Sequence, residues 1–265
     1  MKKVNLSKRK NIEKGTQLAN SRKGSFSEKI RDNILHYESL QIEPIKLMHF
    51  ILKQRPEKKI LNFAIKNYII NLVSLWETFF RDLFVIVMKL DQEFKTHIIE
   101  NYAKNEEYLE IDNIEEIIAL AANFQNLDDL NEAFQYIFNN ENILDVIGKY
   151  EQNIFMNPNI IKNFSIDKFC LNWKAEIIKT FNLRHKFIHD ANFKYTFNRQ
   201  EIQVIEMLFN IIPKTFTNII ADKYQLKKLI AHIEDNQVKY VYLGYGDFHY
   251  ISSIKDILSD DWKIS

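Results

Sequence analysis

The chain has 265 residues, 46% of them hydrophobic, a length and apolar share that suffice for one large core with appendages. Five Gly and four Pro favour helices over a turn-rich β architecture, and the lone Cys170 excludes an internal disulfide and a cysteine-built zinc site. Net charge is +1 but lopsided: residues 1–31 hold ten Lys/Arg and two Glu, so everything after them sums to −7.

Residues 1–25 read as a flexible basic arm. It is a solvated tail, a gatherer of phosphates, or a partner for acidic parts of the chain. An amphipathic helix is expected from Phe26 to Lys53, interrupted near Pro44. The strongest helical pattern runs from Glu57 to about Leu90. Ile65, Ile69, Leu72, Val73, Trp76, Phe79, Phe80, Leu83 and Val87 recur there at three- and four-residue steps. A polar line of Asn67, Asn71, Ser74, Glu77 and Arg81 flanks them.

Shorter helices are expected at roughly 93–104, 111–124, 127–138 and 141–150, with a break at Asn157-Pro158-Asn159. Between Asn105 and Asp145 lie eleven acidic residues and no Lys or Arg, the pattern of a solvated acidic lobe. A further helix from near Ser165 carries Phe169, Trp173, Ile177, Phe181 and the segment 184–189. Asn198 with Glu201 forms a capping-box-like start for a last helix, about 199–221, kinked or ended near Pro213. From Gln237 the pattern alternates. Val238, Tyr240 and Tyr242, a turn at Gly244-Tyr245-Gly246-Asp247, then Phe248 and Tyr250 spell a β-hairpin, followed by a short helix near Ile254–Asp261.

The expected class is therefore all-α: a helical bundle with extra helices and a small C-terminal β-hairpin. Its parts are the arm 1–25, a helical domain 26–232 with an acidic insertion at about 91–156, and the appendage 233–265. No stretch approaches eighteen uninterrupted apolar residues and no signal-type apolar run opens the chain, so a cytoplasmic protein without membrane contact is expected.

One segment carries chemistry: Asn182-Leu183-Arg184-His185-Lys186-Phe187-Ile188-His189-Asp190. Arg is a permanent planar cation matched to phosphate. Imidazole, with an unperturbed pKa of roughly 6.5, exchanges protons near neutrality. Together they are the minimum equipment for metal-free cleavage of a phosphodiester, and RNA is the first substrate to consider. The spacing alone is weak evidence. Seven Arg and seven His in this chain give about 0.2 such pairs by composition, and Arg31 with His36 is a second copy. Context separates them. Arg184–His189 follows a long helical pattern and precedes a capped helix, whereas Arg31 comes straight after the arm and reads as the decoy.

Arg184-His185-Lys186-Phe187-Ile188-His189 resembles the Arg-x4-6-His signature of HEPN domains (higher eukaryotes and prokaryotes nucleotide-binding), where Asn, Asp or His often follows the Arg. In that family the signature sits late in a helical bundle ahead of a final helix. Ser74-x-x-Glu77 is similar to a polar pair that many members carry in an early helix, facing the catalytic pocket. The resemblance spans about 57–221. It implies a metal-independent endoribonuclease without cofactor, with Arg184 and His189 as the catalytic pair of a homodimer whose two motifs share one cleft. It also implies a toxin or antiphage abortive-infection role, with an antitoxin or activating partner. A toxin subgroup carries a modifiable Tyr two residues after the His; Ala191 stands there, so that regulation is not expected.

In this reading the RNA 2′-hydroxyl attacks, His189 acts as general base or acid, and Arg184 stabilises the developing charge. The products are a 2′,3′-cyclic phosphate and a 5′-hydroxyl. Residues five apart diverge by about 140° on a helix, which favours two copies facing across a C2 axis. His185 and Lys186 either touch substrate phosphate or are solvated surface, and Asn182 either bonds substrate or caps. Glu77 either orients Arg184 or His189, or bridges to Arg81. Other readings stay open: a structural Arg184/His189 pair, a metal held by His185 and His189 with Asp190, or a catalytically silent RNA- or protein-binding and dimerisation module. Trp76 and Trp173 belong to the core, and the tyrosines near the C-terminus either stack bases or pack a hairpin face.

Overall fold

Ser25 starts the first helix: its hydroxyl accepts the Glu28 N–H, and the Glu28 carboxylate accepts the Ser25 N–H at 2.7 Å. From that capping box α1 runs Phe26–Lys53. The structure, a computed structural model, describes residues 24–102, 113–157, 160–190, 192–197, 199–234 and 237–243. Helix α1 does not break at Pro44 as the sequence led us to expect. A proline frees the carbonyl four residues earlier, here that of Leu40, a residue 40% exposed, where water can serve it.

Helix α2, Lys58–Leu90, is the hub. Its expected apolar positions are buried, and toward its C-terminus Phe84, Val85, Ile86, Val87 and Met88 are buried all round, because helices pack on every side there. Helix α3, Gln92–Tyr102, follows after the single residue Asp91. Next come α4 (Ile114–Ala121), α5 (Leu127–Phe134) with a 3-10 turn to Phe138, and α6 (Ile143–Lys149). This acidic stretch is not simply solvated. Phe124 and Phe134 are fully buried with Phe84, Phe94 and Phe216 in one core. The fully buried Glu116 pairs with Lys89 at 2.5 Å, and Glu115 with Lys95 at 2.7 Å.

Two strand pairs flank the next helices: β1 (Gln152–Asn157) with β2 (Ile160–Phe164), and β3 (Lys228–Glu234) with β4 (Gln237–Leu243). They form one sheet in the order β2-β1-β3-β4, with β1 and β3 parallel. Strands around the Asn157-Pro158-Asn159 break were not expected; the alternation there is too short to separate from loop. Gln237–Leu243 pairs backward onto Lys228–Glu234. The forward partner expected from Phe248 and Tyr250, and the helix near Ile254–Asp261, lie outside the described residues, as does most of the arm.

The single helix expected from Ser165 is two: α7, Ile166–Phe169, and α8, Trp173–His189. The Asp167 carboxylate accepts the Trp173 indole N–H at 2.8 Å and so joins them across the break. Gly148 of α6 backs onto that carboxylate, where a Cβ would collide with it. Helix α9, Arg199–Lys223, continues through Pro213. The carbonyl that Pro213 frees, that of Phe209, accepts from Tyr37 OH at 2.6 Å and Gln41 Nε2 at 3.3 Å, both on α1. By length and composition α9 is the one described helix apolar enough to cross a membrane. Its Ile202, Ile205, Leu208, Phe209, Ile212, Phe216 and Ile220 are buried in the protein core. Among the described residues, the fold is mostly helical, with nine α-helices around one core.

Candidate functional site

Helix α8 carries nearly all the residues singled out in the sequence. Its inner face is Trp173, Ile177, Thr180, Phe181, Leu183 and Phe187, all buried. Phe181 meets Trp76 of α2 edge-on, ring centres 5.7 Å apart, and this contact fixes the rotation of α8 against the hub. Arg184 follows Phe181 by three residues, so it emerges at the flank of the packed face, half-buried. Asn182, His185, Lys186 and His189 lie on the other side, exposed.

The Arg184 guanidinium turns toward the loop between α4 and α5. Its Nη1 donates to the Gln125 side-chain oxygen at 2.5 Å. The Gln125 amide nitrogen donates in turn to Glu77, whose other oxygen accepts from Arg81 at 2.6 Å. Of the alternatives the sequence left open for Glu77, the bridge to Arg81 is present, and Glu77 is joined to Arg184 only through Gln125. Ser74 is not part of this chain of contacts: its hydroxyl returns to the Ile70 carbonyl at 2.9 Å.

Charge within the cluster is unbalanced. The bonded cluster holds two guanidiniums and one carboxylate, and that carboxylate bonds Arg81, not Arg184. The Nε atoms of Arg81 and Arg184 are both buried without a hydrogen-bond partner. Arg184 therefore stays a cation that no described carboxylate touches. Arg31 is different: its guanidinium lies on the neighbouring Asp32 at 2.8 Å, partly neutralised. This is a physical reason to prefer the later pair.

His185 and His189 stand one turn apart with ring centres 4.6 Å apart, at the C-terminal end of α8. Among the described residues His189 makes no hydrogen bond, and it does not meet Arg184. Asp190 caps the helix, and its carboxylate accepts the Asn192 N–H at 2.9 Å. No set of three His, Cys, Asp or Glu suited to a metal exists among the described residues. Lys186 lies over the Phe193 ring at 5.3 Å, which ties the loop after α8 to the same surface. Neither Asn182 nor His185 hydrogen-bonds a described residue, so both are open to solvent or ligand.

Sequence reasoning passed over Gln125. It sits between α4 and α5, where Phe124 is fully buried and Asn123 Oδ1 accepts the Gln125 N–H at 3.2 Å. Asn126 caps α5 by accepting the Asp129 N–H at 2.7 Å. The buried ring and the two asparagine bonds set the loop that presents the amide. A buried aromatic between a turn-forming asparagine and a capping one was the local signal, and it does not point to Arg184. Comparison with known protein families, with curated proteins and with solved structures finds no match to this chain.

Proposed function

We propose that the protein is a HEPN-type, metal-independent endoribonuclease acting as a C2 homodimer, of the toxin or antiphage defence kind. The observation that carries this reading is the α8 arrangement. A half-buried guanidinium, bonded by an amide and touched by no described carboxylate, shares a helix with two exposed imidazoles that hydrogen-bond no described residue.

Within one chain Arg184 and His189 face apart, so the chemistry needs a second copy. Ile178 and Ile188 are 49% and 44% exposed, and Ile178, Asn182, His185 and His189 follow one another at helical steps. Pairing two such faces across a two-fold axis buries the apolar side chains and brings two motifs into one cleft. There one His189 takes the 2′-hydroxyl proton, the other protonates the leaving 5′-oxygen, and Arg184 stabilises the charge on the pentavalent phosphorus. His185 and Lys186 contact neighbouring phosphates, with Asn182 at the edge of the cleft.

The test is incubation of mixed RNA in EDTA with the wild type, Arg184→Ala and His189→Ala. Cleavage by the wild type alone, leaving 2′,3′-cyclic ends, supports the reading; cleavage that survives both substitutions ends it. A second reading rests on the separation of Arg184 from His189 within the chain. It is a catalytically silent module that binds RNA or protein through the α8 face, and it predicts binding without cleavage in all three proteins.

A further inference from the structure

We infer that Gln125 is a positioning residue for Arg184: a neutral spacer that aims the guanidinium at substrate phosphate while leaving its charge intact. The inference rests on the nuclease reading and adds to it a residue from outside the Arg–His segment.

The geometry gives the reason. A direct carboxylate partner for Arg184 would orient it well but would also neutralise it, since a paired guanidinium attracts a phosphate less. Here the carboxylate that Gln125 bonds, Glu77, is held by Arg81. The Gln125 amide fills the gap between Glu77 and Arg184, donating to the first and accepting from the second. Its two neighbours also decide which end faces which. Turned over, the amide would set its NH2 against the guanidinium and its oxygen against the carboxylate. Glu77 thus acts on Arg184 through a dipole, and orientation is obtained without charge cancellation. The spacer comes from the loop between α4 and α5, so the acidic lobe supplies a side chain to the site.

Two substitutions separate aim from charge. Gln125→Glu is near-isosteric and replaces the spacer by a direct ion pair. Cleavage should fall about 100-fold near neutral pH, the scale of a displaced or silenced charge stabiliser. Because the introduced carboxyl lies between Glu77 and Arg184, with Arg81 beyond, its protonation in acid should return activity. The ratio of variant to wild-type rate, followed from about pH 8 down to about pH 4.5, should therefore rise. A flat ratio overturns the inference, because a residue that only supports the fold would give one.

The second readout does not need catalysis. The Arg184 Nε–Hε NMR signal, assigned through Arg184→Lys, should be that of a restrained guanidinium in the wild type. It should take on the sharp, mobile character of a free arginine in Gln125→Ala, and shift in Gln125→Glu. Identical signals in all three overturn the inference. If the wild type cleaves no RNA, the nuclease reading fails, and the NMR comparison alone decides whether Gln125 holds Arg184.

Discussion

Pro213 removes one N–H from α9, and Tyr37 supplies the replacement donor. Tyr37 is buried and its phenol is pushed well above its ordinary pKa, by burial first and by the Glu38 charge second. Tyr37→Phe should therefore cost about 1 kcal/mol in urea unfolding, the worth of a buried hydrogen bond with Gln41 left to compensate in part. In a Pro213→Ala background the restored N–H serves the Phe209 carbonyl, and the same Tyr37→Phe change should cost less. Additive losses in that double-mutant cycle would refute the account. At this scale the sequence revealed types but not partners. Arg184, His189 and Glu77 stood out as candidates through residue type and family resemblance, and the Glu77–Arg81 bridge through helical spacing. Gln125 was not legible: it lies 48 residues from Glu77 and 59 from Arg184 in the chain, and only folding brings them together.

Periodicity is a property of elements, and there the sequence spoke clearly. The buried stripe of α2 and the extents of α1 and α9 follow from apolar spacing, while the cap expected at Asn198 lies outside the described residues. What it missed were places where tertiary contacts override a local rule. Both prolines sit inside continuous helices, because Phe209 found donors on α1 and exposed Leu40 can be served by water. The acidic run predicted a solvated lobe, but Lys89 and Lys95 of neighbouring helices draw it onto the core. Lys89→Met removes the ammonium paired with the buried Glu116 carboxylate and should cost about 3 kcal/mol; adding Glu116→Gln should recover part of it, since the buried group then carries no charge. A loss from Lys89→Met no larger than that of an exposed lysine would show the lobe held by its rings alone. On the α8 face, Ile178→Asp puts a charge into the proposed dimer seam. It should convert the protein to monomers by light scattering and abolish RNA cleavage, whereas Leu47→Asp, on the exposed side of α1, should do neither. A monomeric Ile178→Asp protein that still cleaves would remove the dimer from the mechanism.

On the scale of the whole molecule, tyrosine hydroxyls tie α9 to the rest of the fold. Tyr37 of α1 bonds the Phe209 carbonyl, and Tyr68 of α2 donates to Glu206 at 2.8 Å. Tyr150, after α6, donates to Asp222, and Tyr224, at the end of α9, donates to Asp91 between α2 and α3 at 2.7 Å. In each, burial is the first cause that raises the phenol pKa well above its ordinary value, and a neighbouring carboxylate adds to it. The sign follows from linkage. A phenol whose pKa is raised by folding stabilises the native state fully below its unfolded value, about 10, and that stability is lost as pH rises toward the folded value. Each buried phenol should withdraw about 1.4 kcal/mol per pH unit once the unfolded chain ionises and the native one does not. The urea midpoint should hold steady from about pH 8 to about pH 9.5 and fall steeply beyond about pH 10. Tyr150→Phe and Tyr224→Phe should each lower stability at neutral pH and make the alkaline fall shallower, because a residue that cannot ionise has nothing to lose there. A wild-type curve that stays level past about pH 11, or Phe variants as steep as the parent, would mean that apolar packing alone seats α9.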